Sequence, residues 1–180
     1  MKAPERIETQ RLILRRPAPS DARAIFTRYA ADPEVTRYVA WPRHVSIIET
    51  QEFLEFSDAG WDSSPAGAYL VESRADGRLL GSTGLHFEAP DRASTGYVFA
   101  RDAWGKGYAT ESLQAMVSLA HTLNIRRLYA LCHVDNHASA HVLEKCAFER
   151  EARLPEHTLF PNLFPTILCD VFIFAHRPPN

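Results

Sequence analysis

The sequence predicts an α/β (α+β) fold, a single layer of sheet with helices packed on it, and three observations carry that reading. Apolar residues at 46% and charged residues at 23% are globular values, and 180 residues suffice for one domain that buries roughly 70% of its unfolded surface. Asp76-Gly77 sits between two apolar stretches and is a strong hairpin-turn signal. Along the chain, periodicity passes from a strand to helices, then to antiparallel strands, then to an alternating β-α-β-α-β order.

Each element has its own local reason. Leu12-Ile13-Leu14 reads as a strand that ends at Pro17 and Pro19. Ser20 then reads as the N-cap of a helix with Ala22, Ile25, Phe26 and Tyr29 on one face. Ser46 and Glu49 form a capping-box pattern that opens a second helix, running to about Phe56. Tyr69-Leu70-Val71 and Leu79-Leu80 flank the Asp76-Gly77 turn, and the second strand continues through Gly81 to Phe87. Pro90-Asp91 marks the next turn, after which Thr95, Tyr97 and Phe99 alternate with smaller residues as a strand. Ala109, Leu113, Met116, Val117, Ala120 and Leu123 form the apolar face of a third helix. Leu128 to Cys132 is a short buried strand, Asn136 to Lys145 a helix capped by Asp135 or Asn136, and Val171 to Ala175 a last strand. The proline-punctuated stretch 155–165 reads as a long connection, and connections of that length are often functional. It is a candidate wall for an acceptor site.

Charge and cysteine usage exclude several classes. With 20 Lys+Arg against 22 Asp+Glu, the chain lacks the excess of base that a nucleic-acid binder shows. Cys132, Cys146 and Cys169 lie far apart with no CxxC, so they read as reduced thiols and not as a disulfide framework or metal site. No signal peptide is visible, and the longest apolar run, 171–175, is far short of the roughly 20 residues that span a bilayer. A cytoplasmic protein with no metal and no nucleic-acid or membrane partner is expected.

Two stretches can carry chemistry. At Trp104-Gly105-Lys106-Gly107-Tyr108-Ala109-Thr110, two glycines lead into a helix whose free N–H groups and dipole would cradle an anion; a loop used only for turning is the alternative. Neither a P-loop nor a dinucleotide fingerprint fits there. The second stretch runs from Val134 to Phe148, with Asn136 at a helix start and the Ser139 hydroxyl near the first turn. Cys132-His133 does not make a nucleophile pair, because adjacent strand residues point to opposite faces.

Together these stretches resemble the GNAT superfamily of acetyl-coenzyme A-dependent N-acetyltransferases, and more closely the subgroup around the ribosomal-protein alanine acetyltransferases. The coenzyme motif Gln/Arg-x-x-Gly-x-Gly/Ala falls on residues 104–109, with Trp104 in place of Gln/Arg as is usual in that subgroup. The pattern Asn-x-x-Ser…Val-Leu-Glu-Lys-x-Gly-Phe falls on Asn136, Ser139, Val142 to Lys145 and Phe148, with Ala147 in the glycine's place. Residues 8–15 look like the subgroup's first strand, and the similarity runs from about residue 7 to 175 of a single domain.

The resemblance implies a mixed, mostly antiparallel sheet of about six to seven strands, about four flanking helices and a splayed central strand pair. It implies transfer of an acetyl group from acetyl-coenzyme A to a primary amine, on a protein N-terminus or a small molecule, within a ternary complex. A non-catalytic acyl-coenzyme A-binding module is the alternative, and the protein would be a monomer or homodimer. By the same resemblance the backbone of Val98, Phe99 and Ala100 would hold the pantetheine, and residues 104–110 the pyrophosphate. Asn136 would order the loop, and Ser139 would pass a proton to the coenzyme sulfur. Ser94 stands where many members carry the glutamate that serves as base, two residues before Gly96-Tyr97. His86 and Glu88, at the end of the preceding strand, are the replacement candidates. Trp41 and His44, with Tyr38 and Trp61, are the aromatic candidates for an acceptor pocket, packing being the alternative.

Overall fold

Leu12-Ile13-Leu14 forms the expected strand, β2 (Leu12–Arg15), and an additional short strand, β1 (Arg6–Glu8), precedes it as a hairpin partner in a computed structural model that describes residues 1–176. Its turn is pinned from outside: Thr9 Oγ1 and the Arg11 N–H both donate to the Glu111 carboxylate, at 2.6 and 2.8 Å. The chain then enters α1 (Ala22–Ile25) through a 3-10 turn at Pro19–Asp21, so Ser20 is not the cap. Asp21 stands at the N-cap position of α1, and its carboxylate reaches back to accept from the Ala18 N–H at 2.7 Å, at the start of the 3-10 turn, while pairing with Arg15. A π-helical turn at Phe26–Ala30 extends α1 and buries both Tyr29 and Ala30.

α2 (Ile47–Ser63) has the expected capping box, with Ser46 Oγ accepting from the Ile48 N–H and Glu49 accepting from the Ser46 N–H. It runs past Phe56 because Thr50, Leu54, Ser57 and Trp61 keep one face buried, and that spacing rewards each further turn. Then follow β3 (Ala68–Ser73), β4 (Leu79–Ala89), β5 (Arg92–Phe99), α3 (Tyr108–Thr122), β6 (Arg127–His133) and α4 (His137–Lys145). The Asn136 side chain caps α4 by accepting from the Ser139 N–H at 3.2 Å.

The stretch 155–165 is not a loop. It belongs to a long hairpin, β7 (Phe148–Phe160) and β8 (Phe164–His176), turned at residues 161–163. Prolines usually break such strands, but Pro155 lies on β7, the sheet edge, where an outward-facing N–H makes no ladder bond. Pro155 falls in the register shift between Leu154 and Thr158, beside Glu156 at φ 45.

The strands form one open sheet of eight, in the order β1-β2-β3-β4-β5-β6-β8-β7, antiparallel except for β5 and β6. The fold class is therefore the expected one, with 148–160 adding a strand. Alternation divides the sheet residues between two layers. Val71, Leu85, Phe99 and Cys132 join the core under α3 and α4, and Leu70 and Val98 pack with α1 and α2.

The β5–β6 pairing is confined to Arg92–Ser94 against Arg127–Tyr129. Both strands continue, unpaired with each other, to Phe99 and His133. The central pair splays, opening a gap toward the C-terminal ends of both strands.

Ala147, just past the end of α4, keeps a left-handed φ of 61. The helix terminates as a glycine would terminate it, with the strain left in place at about 1 kcal/mol. Ala147→Gly should therefore raise Tm by about 2–4 °C in a thermal melt; an unchanged or lower Tm would show that the position is relaxed.

Candidate active site

The gap between β5 and β6 is part of a cleft of about 840 Å³ that passes from one side of the sheet to the other. On the α4 side it is lined by Tyr97, Cys132, Asn136 and Ser139; on the α2 side by Tyr38, Trp41, Phe53 and Phe56. Register Gly84↔Gly96 places two glycines opposite each other, and a Cβ added at Gly96 would meet nothing. Bare backbone therefore floors the cleft at its middle.

Backbone direction decides which groups face the gap. The Ala100 N–H donates to Leu80 O at 2.8 Å, so it is not free to hold a ligand. Alternate residues of a strand point to the same neighbour, so Val98 also faces β4, while Thr95, Tyr97 and Phe99 turn their backbone into the gap. Of the expected Val98, Phe99 and Ala100, only Phe99 offers gap-facing backbone, and its carbonyl already accepts from Trp104 Nε1 at 2.7 Å. Thr95 and Tyr97 were not foreseen; strand alternation was the signal that could have found them.

At the open end of the gap lies the glycine-rich turn. Gly105 and Gly107 have φ of 70 and 77, and Gly107 is the N-cap of α3. Among the described residues the N–H groups of 105–110 have no acceptor, and the helix dipole points at them. Arg11 brings a cation to the same place: Nη1 donates to Lys106 O at 2.9 Å, and its guanidinium carbon lies 4.8 Å from the centre of the Tyr108 ring. Glu111 anchors that arginine through Nε at 2.7 Å. Burial disfavours the Glu111 charge, but hydrogen bonds from Thr9 and Arg11 outweigh it and hold the carboxyl below its ordinary range. The site fits a diphosphate, with unpaired amides, positive charge and room above Gly105.

Beside the gap, Ser139 Oγ lies 2.9 Å from Tyr97 Oη, and Tyr97 also donates to Ser139 O at 3.1 Å. Burial raises the Tyr97 pKa, so the phenol stays protonated. Burial likewise raises the Cys132 thiol, which donates to Asn136 O at 3.4 Å and has no activating cation.

The two base candidates part company. His86 pairs in register with Ser94 and lines the cleft. Glu88 stands outside the lining, bound to Arg92 at 2.9 Å and accepting from the Tyr129 hydroxyl. Trp41 and Tyr38 line the α2 side, but His44 lies behind Trp41 with Nδ1 2.7 Å from Thr50 Oγ1. Trp61 is core, packed edge-on against Tyr69.

The loop carrying Tyr38 and Trp41 is held from the far end of the chain. Asn162, in the β7–β8 turn, donates to Thr36 O and Trp41 O at 2.7 and 3.0 Å and accepts from the Arg43 N–H at 2.8 Å. Thr158 and Phe160 of the same hairpin reach the cleft lining, so the stretch does form a wall, built from strand.

A sheet opened at one parallel pair, with helix N-termini at the opening, is the architecture of an acetyl-coenzyme A-dependent acyltransferase. The acetyltransferase (GNAT) domain family matches residues 11–149, and the chain belongs to that family of N-acetyltransferases. It is 32% identical over 154 residues to the uncharacterized N-acetyltransferase YoaA of Bacillus subtilis (strain 168), covering 84% of this chain and 86% of that one. It is 26% identical over 174 residues to the uncharacterized N-acetyltransferase p20 of Bacillus licheniformis, covering 95% of each. Among solved structures it is similar to RimL, a ribosomal L7/L12 α-N-protein acetyltransferase in complex with coenzyme A. There the TM-score is 0.83 at 25% identity, over 96% of this chain and 97% of that one.

Two tests follow from these anchors. Glu111→Gln should remove about 2 kcal/mol at neutral pH, a Tm loss of about 4–8 °C. Because the folded carboxyl titrates lower than the unfolded one, its contribution is present above pH of about 4.3 and fades as pH falls through the folded value. The gap in Tm between wild type and variant should close on acidification; a constant gap would refute the linkage. Asn162→Ala should raise the acceptor KM roughly tenfold while leaving the thermal shift produced by acetyl-coenzyme A unchanged. Equal loss of both would show a global effect.

Proposed function

We propose that this protein transfers the acetyl group of acetyl-coenzyme A to a primary amine by direct attack within a ternary complex. The observation that carries the reading is the cleft through the sheet, which lets donor and acceptor arrive from opposite faces and meet in the gap.

On this reading the free amides of residues 105–110, with Arg11 and Lys106 beside them, bind the diphosphate. The gap-facing backbone of Thr95, Tyr97 and Phe99 aligns the pantetheine as an added strand would be aligned. A backbone N–H on the same edge stabilises the negative charge that develops on the thioester oxygen, usually the largest single catalytic effect. Asn136 fixes the start of α4 and so the position of Ser139. Ser139 Oγ–H donates to the departing sulfur and takes in its place the proton that the attacking nitrogen releases, while the Tyr97 hydroxyl, 2.9 Å away, holds Ser139 in position. His86, from its place opposite Ser94, takes the proton of the incoming ammonium, directly or through water.

The experiment is a thermal-shift and rate series. Acetyl-coenzyme A at about 100 times its Kd should add roughly 2.7 kcal/mol, seen as a rise in Tm of several degrees. Gly107→Asp puts a carboxylate and a Cβ, 3.3 Å from Arg11 Nη2, into the cradle and should abolish that rise. Ser139→Ala should lower kcat with little change in coenzyme KM, and His86→Gln should lower kcat/KM roughly a hundredfold. A full thermal shift in Gly107→Asp would move the diphosphate elsewhere. Coenzyme binding without thiol release for any amine would favour a binding module.

A further inference from the structure

The acceptor side of the cleft has a chemical character of its own. Among the described residues its lining is aromatic, aliphatic and hydroxyl-bearing, and its only ionisable groups apart from tyrosine and cysteine are His86 and His133. The lining itself offers no carboxylate to a second ammonium on the acceptor, and a charge left unpaired in such a site is strongly disfavoured.

His133 ends β6 and is only 6% exposed. Its ring lies between Tyr38, centroid 4.9 Å away, and Phe160, edge-on at 5.0 Å. Nδ1 accepts from the Asp135 N–H at 3.1 Å, which leaves the proton of the neutral imidazole on Nε2. Nε2 has no protein partner among the described residues and is not among the sealed polar atoms, and His133 is part of the cleft lining. Arg37, Asp135 and Asp170 are the charged groups around the ring; burial is the largest influence and keeps the imidazole neutral. An unpartnered donor on a nearly buried residue that lines an apolar cleft calls for an acceptor oxygen. Its immediate neighbour, Cys132, faces the α4 side with Asn136 and Ser139, so His133 stands one residue from the sulfur end of the proposed reaction.

We infer that His133 is a specificity-determining residue: its Nε2–H binds a carbonyl-type oxygen close to the reacting nitrogen, and the acceptor is an apolar or aromatic monoamine carrying that oxygen. The inference rests on the acetyltransferase reading and narrows its acceptor. It also explains why the ring is wedged between two aromatic groups, since a donor fixed in direction discriminates better than a mobile one.

The test compares L-phenylalaninamide with phenethylamine, which keeps the ring and amine but lacks the carboxamide, and with spermidine. His133→Phe keeps the ring stack and removes the donor; His133→Gln restores a donor. The two monoamines differ in basicity, so the readout for each is the ratio of wild-type to variant kcat/KM. His133→Phe should lower kcat/KM for phenylalaninamide roughly ten- to a hundredfold, change phenethylamine less than about twofold, and leave coenzyme KM unaltered. His133→Gln should recover most of the loss, and wild type should turn over spermidine more slowly than phenylalaninamide. Equal losses on both monoamines, no recovery in Gln, or faster turnover of spermidine overturns the inference. If the Phe variant fails to fold, the Gln variant and the wild-type spermidine comparison decide. No transfer to any of the three amines, with the acetyl-coenzyme A thermal shift intact, overturns the acceptor class alone. Loss of that shift in wild type overturns the acetyltransferase reading and this inference with it.

Discussion

The structure turns on the divergence of two parallel strands. A sheet that opens in its middle breaks the rule that backbone groups find partners in neighbouring strands. Here the breach begins after Ser94 and Tyr129 and is kept. Phe99 O is satisfied by the Trp104 indole, while the β5–β6 pairing stops at Ser94 and Tyr129. The consequence is topological. α3 and α4 follow β5 and β6, so both helix N-termini come to the open end of the same gap. Unpaired amides, helix dipoles and the cleft all follow from one missing stretch of ladder.

A gap of this kind closes unless both sides are held. On one side Glu111 ties the first turn of α3 to the β1–β2 turn and orients Arg11 over the glycine-rich loop. On the other side β8 occupies the free edge of β6 through Tyr129–His133, so β6 has a ladder partner without approaching β5. The hairpin then extends to Asn162, whose side chain makes three hydrogen bonds to the loop bearing Tyr38 and Trp41. The strands that hold the gap open also fix its aromatic wall. The glycine-rich turn and the aromatic wall are thus braced by different parts of the chain.

How much of this was legible depended on the distance over which each signal acts. The capping box at Ser46 and Glu49, a helix cap at Asp135 or Asn136 and the glycine turn at 105–107 are local signals that the sequence carries; the structure puts the cap on Asn136 and both glycines in the left-handed region. The hairpin of β7 and β8 was hidden because its prolines argue locally against a strand, while the exemption comes from edge position and a bulge, which are properties of the assembled sheet. Asn162 lies about 120 residues from its partners, and Tyr97 is separated from Ser139 by 42, so no spacing rule joins them. His133 was a nearer miss. The alternation that separates it from Cys132 also assigns it to the face of Tyr38, but only the structure supplies Phe160 and the Asp135 N–H that set its direction.

Register also bears on the loss of the family's usual glutamate at position 94. Directly opposed residues of antiparallel strands hold their Cβ atoms about 4.5–5.5 Å apart, which is less than the length of an extended side chain. A base projected from His86 can therefore reach the space that a glutamate at 94 would fill, from the other strand of the same pair. Glu88 is two residues further along β4, on the same face, and its reach is spent on Arg92 and Tyr129. Ser94 in turn is small, which leaves the imidazole of its neighbour room to turn toward the cleft. On the proposed reading, the chemistry at this point belongs to a place on the sheet and not to a position in the sequence, and either of two strands can supply it.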